Sequence, residues 1–405
     1  MAAGKPLRIA VIDDSVVVRR VVADGLRGDP RIVEVRTAGD GRAGVALVKE
    51  MRPDLVTMDI EMPVMNGIEA TREIRTFDRR VPIVMFSTLT AAGARATFDA
   101  FTAGATDFVT KPGQARSMAA GMDSVRVELL PKILALADPR ATARAAVAEI
   151  TARSAQVARA ATSSALPGQH PRTGPLAPHR PGAQAGRPGS EAQPRIVAIG
   201  SSTGGPEALS LLLRRLPGDL GVPIVIVQHM PAMFTRLLAE RLDVGCKLRV
   251  TEAVDNAPLL PDTVTIAPGG RHMVVVRDGP QLRARLTDGP LVNSCRPSVD
   301  VLFSSLNPAV GAAVLAIVLT GMGADGALGA AGIAAAGGRV FAQDEASAVV
   351  WGMPGATVAT GVVEKVLTVE GLSDALVVAC RSTRGAIART VPAAAGVRVA
   401  PGTTR

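Results

Sequence analysis

Two series of short, unbroken apolar runs, each alternating with segments of helical spacing, govern what this 405-residue chain can fold into. The first series comprises Leu7–Ile12 and residues 32–35, 55–58, 83–86 and 107–109, five βα units in succession. The second comprises residues 196–199, 224–227, 264–266, 273–276 and 314–319, with helical patterns after Pro206, after Pro231, around 298–305 and after Gly326. Runs this short and this apolar read as strands buried on both faces, as in parallel sheets covered by helices. The expected class is α/β twice over, an N-terminal flavodoxin-like (βα)5 domain over 5–127 and a C-terminal doubly wound parallel-sheet domain over 195–385. Residues 163–194 are dense in Pro, Gly, Gln and Ser and almost lack bulky apolar side chains. They read as a flexible joint. The Ala/Arg-rich stretch 141–161 is helical by propensity alone, so the whole of 128–194 is expected to be a largely flexible linker. Residues 386–405 read as a disordered basic tail.

The net charge of +9 invites a nucleic-acid reading, but its location argues otherwise. Residues 128–194 carry eight Lys/Arg against four Asp/Glu, and 381–405 carry five Arg and no acid, which together account for all of it. With one Trp, eight Phe and no Tyr there is also little to stack on bases. No nucleic-acid partner is expected. No apolar run approaches the roughly 18 residues of a membrane span, and the N-terminus leads directly into a strand, so neither membrane insertion nor a secretory leader is expected. Cys246, Cys295 and Cys380 lie far apart without C-x-x-C spacing, which fits a reducing cytoplasm rather than a disulfide or zinc framework.

In doubly wound sheets the loops at the carboxyl ends of the strands form the working site. In the N-terminal series those ends supply Asp13, Asp14, Asp59, Ser87 and Lys111. Three converging carboxylates repel unless a divalent cation lies among them, and oxygen ligands of this kind suit Mg2+. The motifs Val11-Ile12-Asp13-Asp14-Ser15, Met58-Asp59-Ile60-Glu61-Met62-Pro63-Val64-Met65-Asn66-Gly67 and Thr110-Lys111-Pro112 resemble the receiver domain of two-component response regulators. The resemblance implies that Asp59 is the phosphoacceptor. It also implies that Asp13, Asp14, Asp59 and the Glu61 carbonyl hold Mg2+, and that Ser87 and Lys111 contact the phosphoryl group.

In the C-terminal series the strand 196–199 feeds Gly200-Ser201-Ser202-Thr203-Gly204-Gly205-Pro206, a sharp strand-to-helix turn. Such a turn suits a phosphate cradle, but the lysine of a P-loop and the G-x-G-x-x-G register are both missing. Gly200-x-Ser202-x-Gly204 fits a nucleophile elbow instead. Two further strand ends bring His229 and Asp325. Three strands of one parallel sheet would then deliver Ser, His and Asp to one edge, where a serine finds its base and the base its orienting acid. The chain order Ser202…His229…Asp325 is not that of α/β-hydrolases, so that fold is not expected. His272 is read as cleft-lining or structural, and Cys295 as incidental for want of a matched base nearby.

The segments Ile199-Gly200-Ser201-Ser202-Thr203-Gly204-Gly205, Val227-Gln228-His229-Met230-Pro231, Arg296-Pro297-Ser298-Val299-Asp300, Leu319-Thr320-Gly321-Met322-Gly323-Ala324-Asp325-Gly326, Gln343-Asp344-Glu345 and Gly352-Met353-Pro354 resemble the protein-glutamate methylesterase/glutaminase (CheB) family of bacterial chemotaxis. That resemblance implies Ser202 as nucleophile, His229 as general base, Asp325 as its orienter and backbone amides near Thr203 and Met322 at the oxyanion. It implies a cytoplasmic enzyme that removes methyl groups from glutamyl esters, and deamidates glutamines, on the cytoplasmic helices of methyl-accepting chemotaxis receptors. A chemotaxis histidine kinase would be its phosphodonor, Mg2+ would serve the receiver, and the catalytic domain would need no cofactor. Two departures stand out. Ser201 occupies a position usually held by Ala, and Gly355-Ala356 follows Gly-Met-Pro where a basic residue is usual. The alternatives are a serine-hydrolase output acting on a non-chemotaxis protein, or a non-catalytic interaction output.

Overall fold

The computed structural model describes residues 6–88, 90–111, 118–163 and 193–381. The tail 386–405 and residues 164–192 of the expected linker lie outside the described residues, as does Pro112.

The N-terminal unit runs β1 (Leu7–Ile12), α1 (Val16–Arg27), β2 (Ile32–Ala38), α2 (Gly41–Met51), β3 (Leu55–Asp59), α3 (Gly67–Phe77), β4 (Ile83–Ser87), α4 (Ala91–Ala103) and β5 (Asp107–Thr110). Its five parallel strands take the order β2-β1-β3-β4-β5. β3 and β4 are buried along their whole length, and for that reason they read as unbroken apolar runs. The helices start where the sequence supplies caps. The Ser15 and Asp40 side chains accept from the Val18 and Ala43 amides, and Asn66 with Glu69 forms a capping box.

α5 (Met118–Ser124) continues through a π-helical turn at Val125–Leu129 into α6 (Leu130–Ala137), and α7 (Pro139–Ser163) follows. Here the structure departs from the expectation of a flexible linker. Ala146 and Ile150 of α7 are buried against Ala324, Ala327 and Ala356 of the C-terminal unit. A helix this rich in alanine has a weak amphipathic signature, so its docking is invisible in the pattern. Small side chains nonetheless let it approach closely, and burying Ile150 contributes roughly 1.5–3 kcal/mol.

The C-terminal unit runs β6 (Ile196–Ser201), α8 (Gly205–Arg214), β7 (Ile224–Gln228), α9 (Ala232–Gly245), β8 (Arg249–Glu252), β9 (Thr263–Ile266), β10 (His272–Asp278), β11 (Gln281–Thr287), α10 (Val299–Val310), β12 (Val314–Val318), α11 (Ala327–Ala335), β13 (Arg339–Gln343), α12 (Gly352–Ala359), β14 (Lys365–Leu367) and α13 (Val369–Arg381). Seven parallel strands take the order β14-β13-β12-β6-β7-β9-β8. The run 273–276 is a strand, as expected, but it pairs antiparallel with β11 in a separate hairpin. From β6 the chain proceeds first to β7 on one side and later to β12 on the other. The strand order thus reverses beside β6, where doubly wound sheets open a crevice.

One buried apolar cluster runs from the N-terminal sheet into the C-terminal one. At the junction the Phe108 and Phe234 rings stack with centroids 4.2 Å apart, and Arg241 donates to the Phe98 carbonyl at 3.0 Å. Val350 joins the cluster that contains Ile133 and Leu136, and Met322 packs on that cluster. Among the described residues no helix is long and apolar enough to cross a membrane.

Candidate active site

At the carboxyl ends of β1 and β3 the Asp13, Asp14 and Asp59 carboxylates come within 4.8 Å of one another, and Lys111 joins them from the end of β5. Asp13 and Asp59 are buried and Asp14 is exposed. Lys111 Nζ donates to Asp59 Oδ2 at 2.6 Å and lies 3.4 Å from Asp13 Oδ2. Burial first, and the Asp59 charge second, push the Asp13 carboxyl up to about 6. Burial likewise raises Asp59, against the pull of Lys111. Burial alone would depress the lysine, but its two carboxylate partners hold it above its ordinary value. Asp13 Oδ2 is buried without a hydrogen-bond partner. A buried carboxylate oxygen lacking a donor, beside two more carboxylates, is what an oxygen-ligated divalent cation would complete, so the residues present fit Mg2+. Glu61 follows in the β3–α3 turn with its side chain exposed. Gly67 closes that turn so tightly that a Cβ there would sit 1.9 Å from the Asp59 carbonyl oxygen. Ser87 is at the end of β4 as expected, but its hydroxyl is turned into α4, accepting from Thr97 Oγ1 at 2.7 Å and donating to the Gly93 carbonyl at 3.2 Å.

The second site forms where β12, β6 and β7 end side by side. The parallel ladder continues one step beyond the strands. The Ser202 amide donates to the Thr320 carbonyl at 3.0 Å and the His229 amide to the Ser201 carbonyl at 3.2 Å, which sets residues 202 and 229 next to each other. The two serines differ sharply. Ser201 is fully buried and its hydroxyl donates to Gln228 Oε1 at 2.7 Å, whereas Ser202 is half-buried and its hydroxyl engages none of the described residues. Gln228 also donates to the Ser202 carbonyl at 2.9 Å. Its side chain fills the space at Gly205, where a Cβ would meet Gln228 Oε1 at 1.9 Å. Thr320 braces the same turn, donating to the Thr203 carbonyl at 2.9 Å while Gln343 Oε1 accepts from its amide. The backbone amides of Thr203 and Met322, beside Ser202, donate to no described residue.

His229 Nε2 lies 2.9 Å from Asp325 Oδ2. The aspartate is tied into the N-terminus of α10, accepting from the amides of Val299 at 2.6 Å and Asp300 at 3.1 Å. Ser298 Oγ donates to it at 2.8 Å and Asn293 Nδ2 at 2.5 Å. Burial alone would raise Asp325, but its hydrogen bonds, the one to His229 foremost, hold it below the usual carboxylate range. Burial would likewise depress His229. The Asp325 hydrogen bond and the Cys295 thiol override that and raise the ring above its ordinary value. Nearby Asp300 is raised by burial and by the Asp325 charge, and the Asn293 amide donates to both carboxylates. His272 is structural, linking the Pro290 carbonyl at 2.8 Å to the Ser298 amide at 3.2 Å.

Cys295 corrects the expectation drawn from sequence. Its Sγ lies 3.6 Å from His229 Nδ1, so the thiol does have a base beside it. The loop that carries it places Asn293 (φ 53°) and Ser294 (φ 61°) in the left-handed region, a turn the strand pattern does not announce. Arg153 of α7 reaches the Asn293 side-chain oxygen, which brings the helix expected to be a linker within two residues' reach of Asp325. Sequence reasoning gave no role to Gln228, Asn293, Ser298, Thr320 or Gln343. Gln228, Ser298, Thr320 and Gln343 lie within the segments that carry the resemblance, at strand ends or a helix start, whereas Asn293 sits in the loop between β11 and α10 and had no signal.

The CheB methylesterase family model matches residues 197–376, and the response regulator receiver domain model matches residues 9–122. A protein-glutamate methylesterase/protein-glutamine glutaminase of Nocardioides sp. is 51% identical over 361 residues, 89% of this chain and 92% of that protein. One from Trichodesmium erythraeum is 39% identical over 91% of this chain and 98% of its own length. The crystal structure of the Thermotoga maritima CheB methylesterase catalytic domain is 38% identical and covers 46% of this chain and 98% of that one, with a TM-score of 0.45. The chain belongs to the protein-glutamate methylesterase/protein-glutamine glutaminase family, with a response regulator receiver domain preceding its CheB methylesterase domain.

Proposed function

We propose that this protein is a phosphorylation-regulated hydrolase that removes methyl groups from glutamyl esters, and deamidates glutamines, on the cytoplasmic helices of methyl-accepting chemotaxis receptors. The reading takes residues 5–127 as receiver and 195–385 as catalytic domain, working in the cytoplasm. The observation that carries it is the half-buried, unengaged Ser202 hydroxyl set beside the His229–Asp325 pair at one sheet edge.

With Nε2 held by Asp325, the ring presents Nδ1 as the nitrogen that takes the Ser202 proton during attack on the side-chain carbonyl. Asp325 fixes the tautomer and stabilises the imidazolium, which the ring's raised proton affinity favours. The free amides of Thr203 and Met322 receive the oxyanion. His229 then returns the proton to the departing methanol or ammonia, and water, activated by the same ring, releases glutamate. No step calls on a cofactor in this domain.

In the receiver, Asp59 accepts the phosphoryl group from a chemotaxis histidine kinase. Asp13, Asp14, Asp59 and the Glu61 carbonyl would hold Mg2+, which when bound offsets the negative charge gathered there. Lys111 then moves its ion pair to the phosphoryl oxygens, and Ser87 gives up its α4 contacts to reach them. Releasing Ser87 from α4 loosens the helix that docks, through Phe98 and Thr102, on Arg241 of α9. Phosphorylation thereby shifts the population toward a form with the receiver withdrawn from the Met322 side of the cleft.

The test is methanol release from methylated receptor membranes with and without a phosphodonor. The reading requires turnover that the phosphodonor stimulates in wild type and leaves flat in Asp59→Ala. Equal stimulation of both proteins would remove the regulatory part, and no methanol from wild type would remove the esterase.

A further inference from the structure

We infer that Cys295 and His229 form a binding site for a thiophilic divalent cation, zinc above all, that blocks the esterase by occupying the nitrogen its general base must use. The inhibitory part rests on the reading of His229 as that base, while the binding part does not. Cys295 Sγ and His229 Nδ1 are 3.6 Å apart. Zinc bound at about 2.3 Å from sulfur and about 2.0 Å from nitrogen, with tetrahedral angles, holds two such donors about 3.5 Å apart. The pair is already spaced for the ion.

The opposite side of the ring is arranged for the same purpose. Nε2 lies 2.9 Å from Asp325 Oδ2, the carboxylate–histidine–metal geometry that fixes the tautomer and leaves the other nitrogen's lone pair for the ion. Asp325 is held in turn by Asn293, Ser298 and two α10 amides, so the ring does not need to reorient to bind. The His, Cys and Asp donor atoms all fall within 4.8 Å of one another. Cys295 and His229 are both partly exposed, the His229 side chain by 12%, so the pair is reachable from solvent. Binding replaces with the metal both the thiol proton and, where the ring is charged, the proton on Nδ1, giving a Zn–thiolate and releasing those protons to solvent. With two protein donors the site is reversible rather than structural. Cys380 is buried, and Cys246 donates to the Leu248 carbonyl at 3.1 Å; neither belongs to a grouping of metal-ligating side chains among the described residues.

The experiment uses the full chain with saturating Mg2+, so that the carboxylates of the receiver are occupied. Co2+, the spectroscopic substitute for zinc, is titrated while the near-ultraviolet thiolate-to-cobalt absorption is recorded. The expected result is one such band per chain, bleached by Zn2+, kept in Cys246→Ser and in Ser202→Ala, and lost in both Cys295→Ser and Cys295→Ala. In parallel, Zn2+ should inhibit methanol release by wild type, with at least a tenfold weaker inhibition constant in Cys295→Ser. A band that is missing from wild type, or that survives in both Cys295 variants, overturns the site. Equal zinc sensitivity of wild type and Cys295→Ser overturns the blocking role. A Cys295-dependent band in a protein that releases no methanol upholds the metal site and sinks the esterase reading instead.

Discussion

The receiver site and the hydrolase site are both clusters of polar side chains at the carboxyl ends of parallel strands, yet their electrostatics are opposite. In the receiver, Asp13 Oδ2 is buried without a donor and its carboxyl is pushed up to about 6. In the hydrolase, Asp325 accepts from His229, Asn293, Ser298 and two backbone amides and is held below the usual range. The first cluster is short of positive charge and hydrogen-bond donors, and both a cation and a phosphoryl group answer that shortage. The second is complete in itself, as a site must be when its task is to hold one ring in one orientation through a reaction. A strained cluster suits a switch, whereas a satisfied one suits a catalyst.

The largest effect is expected at the two serines. Ser202→Ala should lower methanol release by about 10^4-fold or more, while Ser201→Ala, whose hydroxyl is already spent on Gln228, should keep most of the rate. The reverse result would mean that the buried hydroxyl attacks.

Next in size is Asn293→Ala. It removes one donor from Asp325 and leaves Asp300 facing that carboxylate without the shared amide, at a cost of roughly 1–3 kcal/mol. A 10- to 100-fold fall in kcat/KM with little change in KM is expected, and Asn293→Asp should be worse. A unchanged rate would show that the remaining donors suffice.

The pH profile follows. His229 binds its proton more tightly than an ordinary imidazole, so the base is protonated at low pH and activity should climb with pH through a value above about 6.5. Asp325→Asn removes the charge that supports the imidazolium, and the acid limb of its residual activity should move to lower pH. A limb that stays in place would detach the profile from this pair.

The smallest effect is expected in the receiver. Because folding raises Asp13 from an ordinary 3.8 to about 6, its contribution to stability is present below about 4 and is lost as pH rises through 6. Thermal unfolding of the receiver transition should therefore weaken across that window. Mg2+ should restore a few degrees, about what 1 kcal/mol is worth, above pH 6 and very little at pH 4. Equal protection at both pH values would argue against the acidic cluster as the binding place.

Most of both sites was legible because parallel strands put function at their carboxyl ends, so reading the one to three residues after each apolar run finds Asp13, Asp59, Lys111, Ser202 and His229. Asp325 lies further from its strand, six residues beyond Leu319, and needed the Gly-rich turn to be seen. The residues around it escaped for definite reasons. Ser298 and the Val299 amide matter because α10, on another part of the chain, aims its N-terminus at Asp325. Asn293 and Cys295 arrive on a turn with two left-handed residues, which no periodicity foretells. The run 273–276 has a strand's pattern, and pattern alone does not say that its partner is β11 rather than the main sheet.

Local chemistry, then, determined the two α/β units, their strand ends and the side chains placed there, since each depends on a period or a turn written within a few residues. Tertiary structure alone decided three things: that the Ala-rich α7 docks beside Asp325, that the Cys295 thiol meets the free nitrogen of His229, and that Ser201 is spent where Ser202 is open. Each of these is a relation between segments distant along the chain, from Ser201 and Gln228 to Ala146 and Ala356, and such contacts arise only when the sheets close and bury their faces.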